Sequence, residues 1–373
     1  MVRLHFIDNL RWMCILMLFP FHTALVFCQG WYGYYVFSDE PSAAAYLLTA
    51  LVEPWIMPLL FCLAGMSAKF SLEMRTPQMY LKERVGKLLV PFVAGLFLIC
   101  PVITYYALKF HTGYTGSFAG AFVHFFSSLV TLQNPNGMSG DFSVDHLWFI
   151  LFLFVISILA LGVILPGKRL VRLHFDAGSV RLPVLVLLSI PIWLLNFAGI
   201  FVTGYSFLSY FAMFLIGYYL FARDPVQAMV EKYWAGLLAA WIVLTLGVTG
   251  LYGMVLGHYE VFWGYSPLCV VTGWTGVLAL MGAGRHLADR TNAFTAYMGA
   301  ASYPVYIIHQ AVLVAIAYYG VKLPVPPLLQ FLAIVIFSLL LTFACYEVIR
   351  RIPGVRALFG IAGPKKKIPC VAP

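Results

Sequence analysis

The sequence predicts an all-α, polytopic integral membrane protein with about ten transmembrane helices, both termini in the cytoplasm and one large external loop. Three observations predict it. Of 373 residues, 62% are hydrophobic and only 10% charged, which leaves too little polar surface to cover a soluble domain of this size. Apolar windows of about 20 residues, the length that crosses a hydrocarbon core about 30 Å thick, recur from one end of the chain to the other. The basic residues are also sorted. With ten spans, all of the 23 Lys and Arg except Lys109 and Lys322 fall on the side of the N terminus, which marks that side as cytoplasmic.

The windows lie at 10–29, 44–68, 88–107, 147–165, 182–202, 205–222, 233–256, 262–283, 294–320 and 327–349. The first is followed by so many others that it reads as a retained span and not as a cleaved leader. The run 117–132 is short and interrupted by His124. Were it an eleventh span, every later basic cluster would move outside, so it is expected to lie at the outer surface as an interfacial or re-entrant segment. The loop 111–146 carries almost no basic charge and is rich in Gly, Asn and Asp; it suits either ligand contact or a solvated connector. Seven cysteines without regular spacing read as packing residues. The basic clusters at 69–87, 168–181 and 350–367 suit topology and contact with anionic membrane lipids. No internal repeat of the transporter kind is visible.

Ionisable groups inside these windows are the candidate functional residues, because burying them in hydrocarbon is costly. In DNLRWMCILMLFPFH, Arg11 and His22 are eleven positions apart. At about 100° per residue that is three turns plus about 20°, so both project from one helix face, about 17 Å apart along its axis. Asp8, three residues before Arg11, is placed to pair with it. Arg11 alone also suits a plain cytoplasmic anchor. Glu53, in LVEPWIMPLLFCLAG, lies at a depth similar to that of His22. There it would tune the imidazole, or, beside Pro54 and Pro58, cap a broken helix. His146 in DHLWF suits chemistry or an aromatic belt, and His309 in SYPVYIIHQ is deeper, with Tyr303 and Tyr306 as hydroxyl donors nearby.

These motifs together resemble the membrane acyltransferase 3 family. Asp8, Arg11 and His22 match its opening pattern. PWIMPLLFCLAG, LKERVGKLLVPF, HLWFILFLF, FLIGYYLF and SYPVYIIHQ follow in the family's order over nearly the whole chain. One departure is Lys87: the basic pair is usually two arginines, and here it is Arg84 and Lys87. Lysine attracts phosphate without the bidentate fork of arginine.

The resemblance implies a transmembrane acyltransferase domain over residues 1–350 and a basic cytoplasmic tail over 351–373, in the inner (plasma) membrane, without an appended hydrolase-like domain. It implies transfer of an acyl group, most often acetyl, from cytoplasmic acyl coenzyme A to a hydroxyl of a glycan or other acceptor outside. Acetyl coenzyme A would be the donor substrate; no metal and no nucleic acid are expected. Arg11, Arg84 and Lys87 would receive its phosphates. His22 would act as general base or become acylated itself. Glu53 and His309 would assist catalysis, and Asp8, His146, Tyr303 and Tyr306 would bind substrate or stabilise an oxyanion. The acceptor stays open between a surface polysaccharide, a lipid-linked sugar, a periplasmic glucan and a small metabolite. The rival class is a proton-coupled secondary transporter using the same buried groups as a relay; a scaffold without chemistry would leave the aligned Arg11 and His22 unexplained.

Overall fold

The computed structural model describes residues 4–28, 34–131, 136–174, 178, 180–198, 201–202, 205–251, 266–361 and 363. Among them, helix dominates. The described elements are α1 (His5–Val26), α2 (Ala43–Met74), α3 (Pro77–Arg84), α4 (Val90–Leu98), α5 (Cys100–His111), α6 (Phe118–Thr131) and α7 (Trp148–His174). They continue with α8 (Leu182–Leu187), α9 (Ser189–Ala198), α10 (Phe207–Ile216), α11 (Asp224–Lys232), α12 (Trp234–Thr249), α13 (Pro267–Ala288), α14 (Ala293–Gly320), α15 (Pro327–Ile349) and α16 (Pro353–Leu358). Wide π-helical turns follow α3 at Val85–Leu89 and α10 at Gly217–Phe221. Phe201–Val202 and Tyr205–Ser206 pair as two-residue antiparallel strands.

Seven stretches are long and apolar enough to cross a membrane: α1, α2, Pro77–His111, Asp145–Gly167, α13, α14 and α15. The pair α11 and α12, bent by 65°, would make an eighth. The windows 182–202 and 205–222 form only the shorter apolar helices Leu182–Asn196 and Phe207–Phe221. Composition counts apolar residues, but chain direction changes at the strand pair between them, so ten windows yield seven or eight full-length spans. The run 117–132 becomes α6, 14 residues or about 21 Å long, shorter than the hydrocarbon core.

α1 is the central element, packed by α2, α13, α14 and α15. Its fully buried Leu18, Phe19 and Ala24 hold that position, and it stays continuous through Pro20. α2 likewise runs unbroken through Pro54 and Pro58, so Glu53 caps no break. α2 meets α10 at backbone contact: a methyl at Gly65 would collide with the Phe214 carbonyl, and one at Gly217 with the Cys62 carbonyl. Small residues are what allow helices to approach so closely in lipid, where no hydrophobic force drives them together. α15 shows Leu328, Leu329, Ile336, Phe337 and Leu340 to the outside, as a lipid-facing helix does. The first part of the region read as a tail is folded: α16 packs on α4, Phe359 is buried and Gly360 abuts the Tyr303 ring. The Lys365 to Lys367 run and Cys370 lie outside the described residues. The six cysteines among the described residues are all free.

Candidate active site

Two polar stations lie along the shared face of α1. At the station of Arg11, Nη1 donates to Asp8 Oδ1 at 3.1 Å and Nη2 donates to Ser67 Oγ of α2 at 2.9 Å. Both side chains of the Asp8–Arg11 pair keep 33% of their surface exposed, so the pair sits at an accessible mouth and not in a sealed core. Arg84 comes from α3, stacked on the Tyr80 ring at 4.6 Å, and lies within electrostatic reach of both Arg11 and Tyr303. Its Nε is buried without a partner, as is the Tyr303 hydroxyl. Two cations with unspent donors therefore converge here. Lys87 does not join them. The π turn that begins after Arg84 carries it to the exposed side, where its Nζ lies 2.5 Å from Glu83 Oε1 with 61% of the side chain exposed. Glu83 also holds Arg75 at 2.6 Å.

The second station, about 17 Å along α1, gathers His22, His146 and His309. His309 lies on α14, with ring centroids 5.4 Å from His22 and 5.1 Å from His146. His146 arrives through a strained turn: Asp145 has φ 45°, a left-handed conformation unusual for a residue with a side chain. Asp145 is buried and accepts a hydrogen bond from Tyr35 Oη at 2.8 Å, while its own N–H donates to Ser143 Oγ at 2.9 Å. Burial and the Asp145 charge push the Tyr35 phenol well above its ordinary range, so it remains a donor.

Carbonyl partners fix two of the three imidazoles, because a carbonyl only accepts. His146 Nε2 donates to the Ile307 carbonyl at 2.9 Å, and His309 Nδ1 donates to the Tyr306 carbonyl at 2.6 Å. Each ring keeps one lone pair, and both leftover atoms, His146 Nδ1 and His309 Nε2, are buried without a partner. His309 is 0% exposed. Tyr306 spends its hydroxyl proton on the His146 carbonyl, which makes it a strut between α14 and the turn at His146 and leaves no proton for an oxyanion. His22 is only partly buried, and its Nδ1 lies 3.3 Å from Tyr34 Oη. Among the described residues, no group of three or more His, Cys, Asp or Glu is arranged to hold a metal ion.

Glu53 is not part of this station. Among the described residues no hydrogen bond or ion pair joins it to His22. It lies within electrostatic range of Cys28 and Cys269 instead. The residues that follow it pack elsewhere: Pro54 abuts Gly273 of α13 and Trp55 stacks edge-on against Trp241 of α12 at 5.7 Å. Equal depth fixed the level but not the direction. The residues that sequence reasoning missed are Tyr34, Tyr35, Asp145 and Gln310. Asp145 and Gln310 flank His146 and His309 in the motifs already singled out, whereas Tyr34 and Tyr35 sit in an aromatic stretch with no periodicity.

Residues 4–347 match the profile of a family described as an acyltransferase domain. The chain belongs to the acyltransferase 3 family. It is therefore an acyltransferase, built in a helical body suited to the membrane. Among its relatives is Glucans biosynthesis protein C of Salmonella paratyphi B, 23% identical over 389 residues that cover 98% of this chain and 96% of the relative. The protein of the same name from Shigella dysenteriae serotype 1 is 23% identical over 381 residues, covering 96% and 94%. No solved structure matches the chain.

Proposed function

We propose that the protein transfers an acyl group, acetyl in particular, from cytoplasmic acyl coenzyme A to a hydroxyl of an extracytoplasmic glycan, at the inner membrane. One observation carries this reading: along a single helix face, surplus cationic donors are followed about 17 Å later by surplus imidazole lone pairs. A donor substrate with phosphates at one end and a thioester at the other matches that order. The phosphate oxygens accept from Arg11 and from the unspent Arg84 Nε and Tyr303 hydroxyl. The pantetheine arm then follows α1 toward His22. The relatives' name, Glucans biosynthesis protein C, supports a glucan as acceptor.

At the outer station His22 takes the proton from the acceptor hydroxyl as that oxygen attacks the thioester carbonyl. Collapse of the tetrahedral intermediate breaks the C–S bond, and His22 returns its proton to the departing sulfur, which leaves as the thiol. The products are the O-acyl glycan and free coenzyme A. A two-step version, in which His22 carries the acyl group first, uses the same residues. The sidedness rests on the basic residues. Should the two short helices Leu182–Asn196 and Phe207–Phe221 form a re-entrant pair instead of two spans, every basic cluster keeps its side, because the crossings are lost in pairs.

The test is purified protein with acyl-labelled acetyl coenzyme A and a glucan oligosaccharide. Thiol release that depends on the glucan, with label recovered in the sugar, is the expected result. Label-free sugar together with uptake of an intact solute into proteoliposomes would overturn it in favour of a transporter.

A further inference from the structure

We infer that the groove between α14 and α15 is a binding site for an anionic phospholipid of the outer leaflet, with the lipid phosphate between Lys109 and Lys322 and an acyl chain along the groove. The inference goes beyond acyl transfer and does not need it. It takes from the proposed topology only the side on which the two lysines lie.

Lys109 and Lys322 are the two basic residues that this topology leaves outside, and the fold brings them to one place. Lys322, just after α14, holds its Nζ 3.5 Å from the centroid of the Tyr318 ring. Lys109, near the end of α5, holds its Nζ 5.7 Å from the same centroid and donates to Tyr105 Oη at 3.3 Å. Tyr106 of α5 braces the arrangement by packing against Tyr318 and Tyr319, at 5.5 and 6.1 Å between centroids. Among the described residues no ion pair joins either lysine to a carboxylate. Single lysines and tyrosines at a membrane surface serve as anchors, but here two like charges share one phenol ring. They repel each other, and an anion between them is the partner they lack.

A free phosphate would leave unused what lies below. From Leu323, the residue after Lys322, an apolar groove of about 590 Å³ runs between α14 and α15 as far as Ala344. On α15 it extends from Ala333 to Ala344, about 17 Å along the helix, which is close to one leaflet of a hydrocarbon core about 30 Å thick. A methyl at Gly320 would lie 2.6 Å from Ile334 Cγ1, so the two helices touch at the floor, while Phe337, Leu340 and Leu341 along the groove are exposed. A cationic mouth above an apolar channel one leaflet long fits an amphiphile with an anionic head and a hydrocarbon chain. A second copy of this chain fits poorly, because a two-fold interface here would set lysines against lysines with no carboxylate between them. Tyr318 lies nine residues beyond His309 on α14, about 14 Å further along the helix, so the headgroup borders the approach to the outer station without entering it.

The experiment uses the full-length protein in detergent with phosphatidylglycerol that carries a photoreactive group in its acyl chain. Unlabelled phosphatidylglycerol or phosphatidylcholine competes, and the labelled residues are mapped by peptide mass spectrometry. Label is expected within 316–344. Phosphatidylglycerol should displace it at about 10- to 30-fold lower concentration than phosphatidylcholine, the preference that two lysines near a headgroup confer. Replacing both lysines, Lys109→Gln with Lys322→Gln, should make the two lipids equally potent. Ala333→Phe and, separately, Ala344→Phe should remove most of the label from the groove by filling it, and leave the background label on α12 unchanged. Label spread evenly over the lipid-facing helices, or displaced equally by both lipids in the wild type, would mean ordinary bilayer contact and overturn the site. A preference for phosphatidylglycerol that survives the loss of both lysines would overturn the headgroup assignment. A groove that takes no label while the protein runs as a dimer would assign it to a second copy and overturn the lipid.

Discussion

The N-terminal and C-terminal ends of α1, the proposed inner and outer stations, handle buried polarity in opposite ways. Around Arg11 the groups are charged, partly open to water and paired, and what is left over is donors: Arg84 Nε and the Tyr303 hydroxyl. Around His22 carbonyls use up N–H groups, and what is left over is lone pairs on His146 and His309. An unsatisfied buried polar atom costs about 1–3 kcal/mol, so each surplus describes the ligand that would remove it. Surplus donors suit anionic oxygens; surplus lone pairs suit hydroxyl or water protons. On the proposed function, the two ends would meet two different parts of one substrate pair.

The sharpest way to break that comparison is at the outer end. His22→Ala should lower turnover by about 100- to 10,000-fold, the range for losing a general base, while affinity for coenzyme A stays within a few fold because the inner station is untouched. Paired measurements of turnover and coenzyme A binding on one preparation check this. Equal loss of both would mean that the stations are not separate. Next in size are Arg11→Ala and Arg84→Ala. A charged hydrogen bond contributes about 1.5–3 kcal/mol, and 1.4 kcal/mol is a factor of ten. Each variant should therefore bind acyl coenzyme A about 10- to 100-fold more weakly by calorimetry, with the chemical step at saturation little changed.

A smaller effect is expected at the turn that delivers His146. Tyr35→Phe removes the donor to buried Asp145 and leaves a strained residue with one partner fewer. The expected loss is about 1–3 kcal/mol of stability, seen as a lower Tm in detergent, with turnover falling only several-fold because His22 keeps its own support. A Tm equal to wild type would show that the Asp145 conformation is held by packing alone.

Within single helices the sequence was informative. The eleven-residue spacing of Arg11 and His22 survives because α1 is continuous, and Asp8 pairs with Arg11 across three positions as helical geometry requires. Between helices it was silent. Glu53 has the right depth, but it lies within electrostatic range of Cys28 and of Cys269 on α13, and among the described residues no hydrogen bond or ion pair joins it to His22. Periodicity describes which residues share a face, not which face meets which neighbour. Tyr34 and Gln310 were hidden for a related reason: one lies in a loop with no period, and the other is an uncharged amide that gains meaning only when α14 brings it to the phenol.

Lys87 should give the smallest effect, and it marks how far the inner station reaches. The motif sets Arg84 and Lys87 three residues apart, which alone suggests a joint phosphate clamp. The π turn Val85–Leu89 separates them: Arg84 keeps a buried, unpartnered Nε, whereas Lys87 stands 61% exposed beside Glu83. An exposed ion pair of this kind is worth about 0–1 kcal/mol, and Glu83 retains Arg75 when Lys87 is removed. Lys87→Ala should thus change acyl coenzyme A affinity by no more than about twofold, and the difference should shrink as salt is raised, because screening acts on exposed charges first. Titrating Lys87→Ala and Arg84→Ala side by side at low and high ionic strength separates the two roles. A loss in Lys87→Ala as large as in Arg84→Ala, and equally resistant to salt, would mean that the donor site wraps around the π turn onto the exposed face, and the inner station would have to be redrawn to include it.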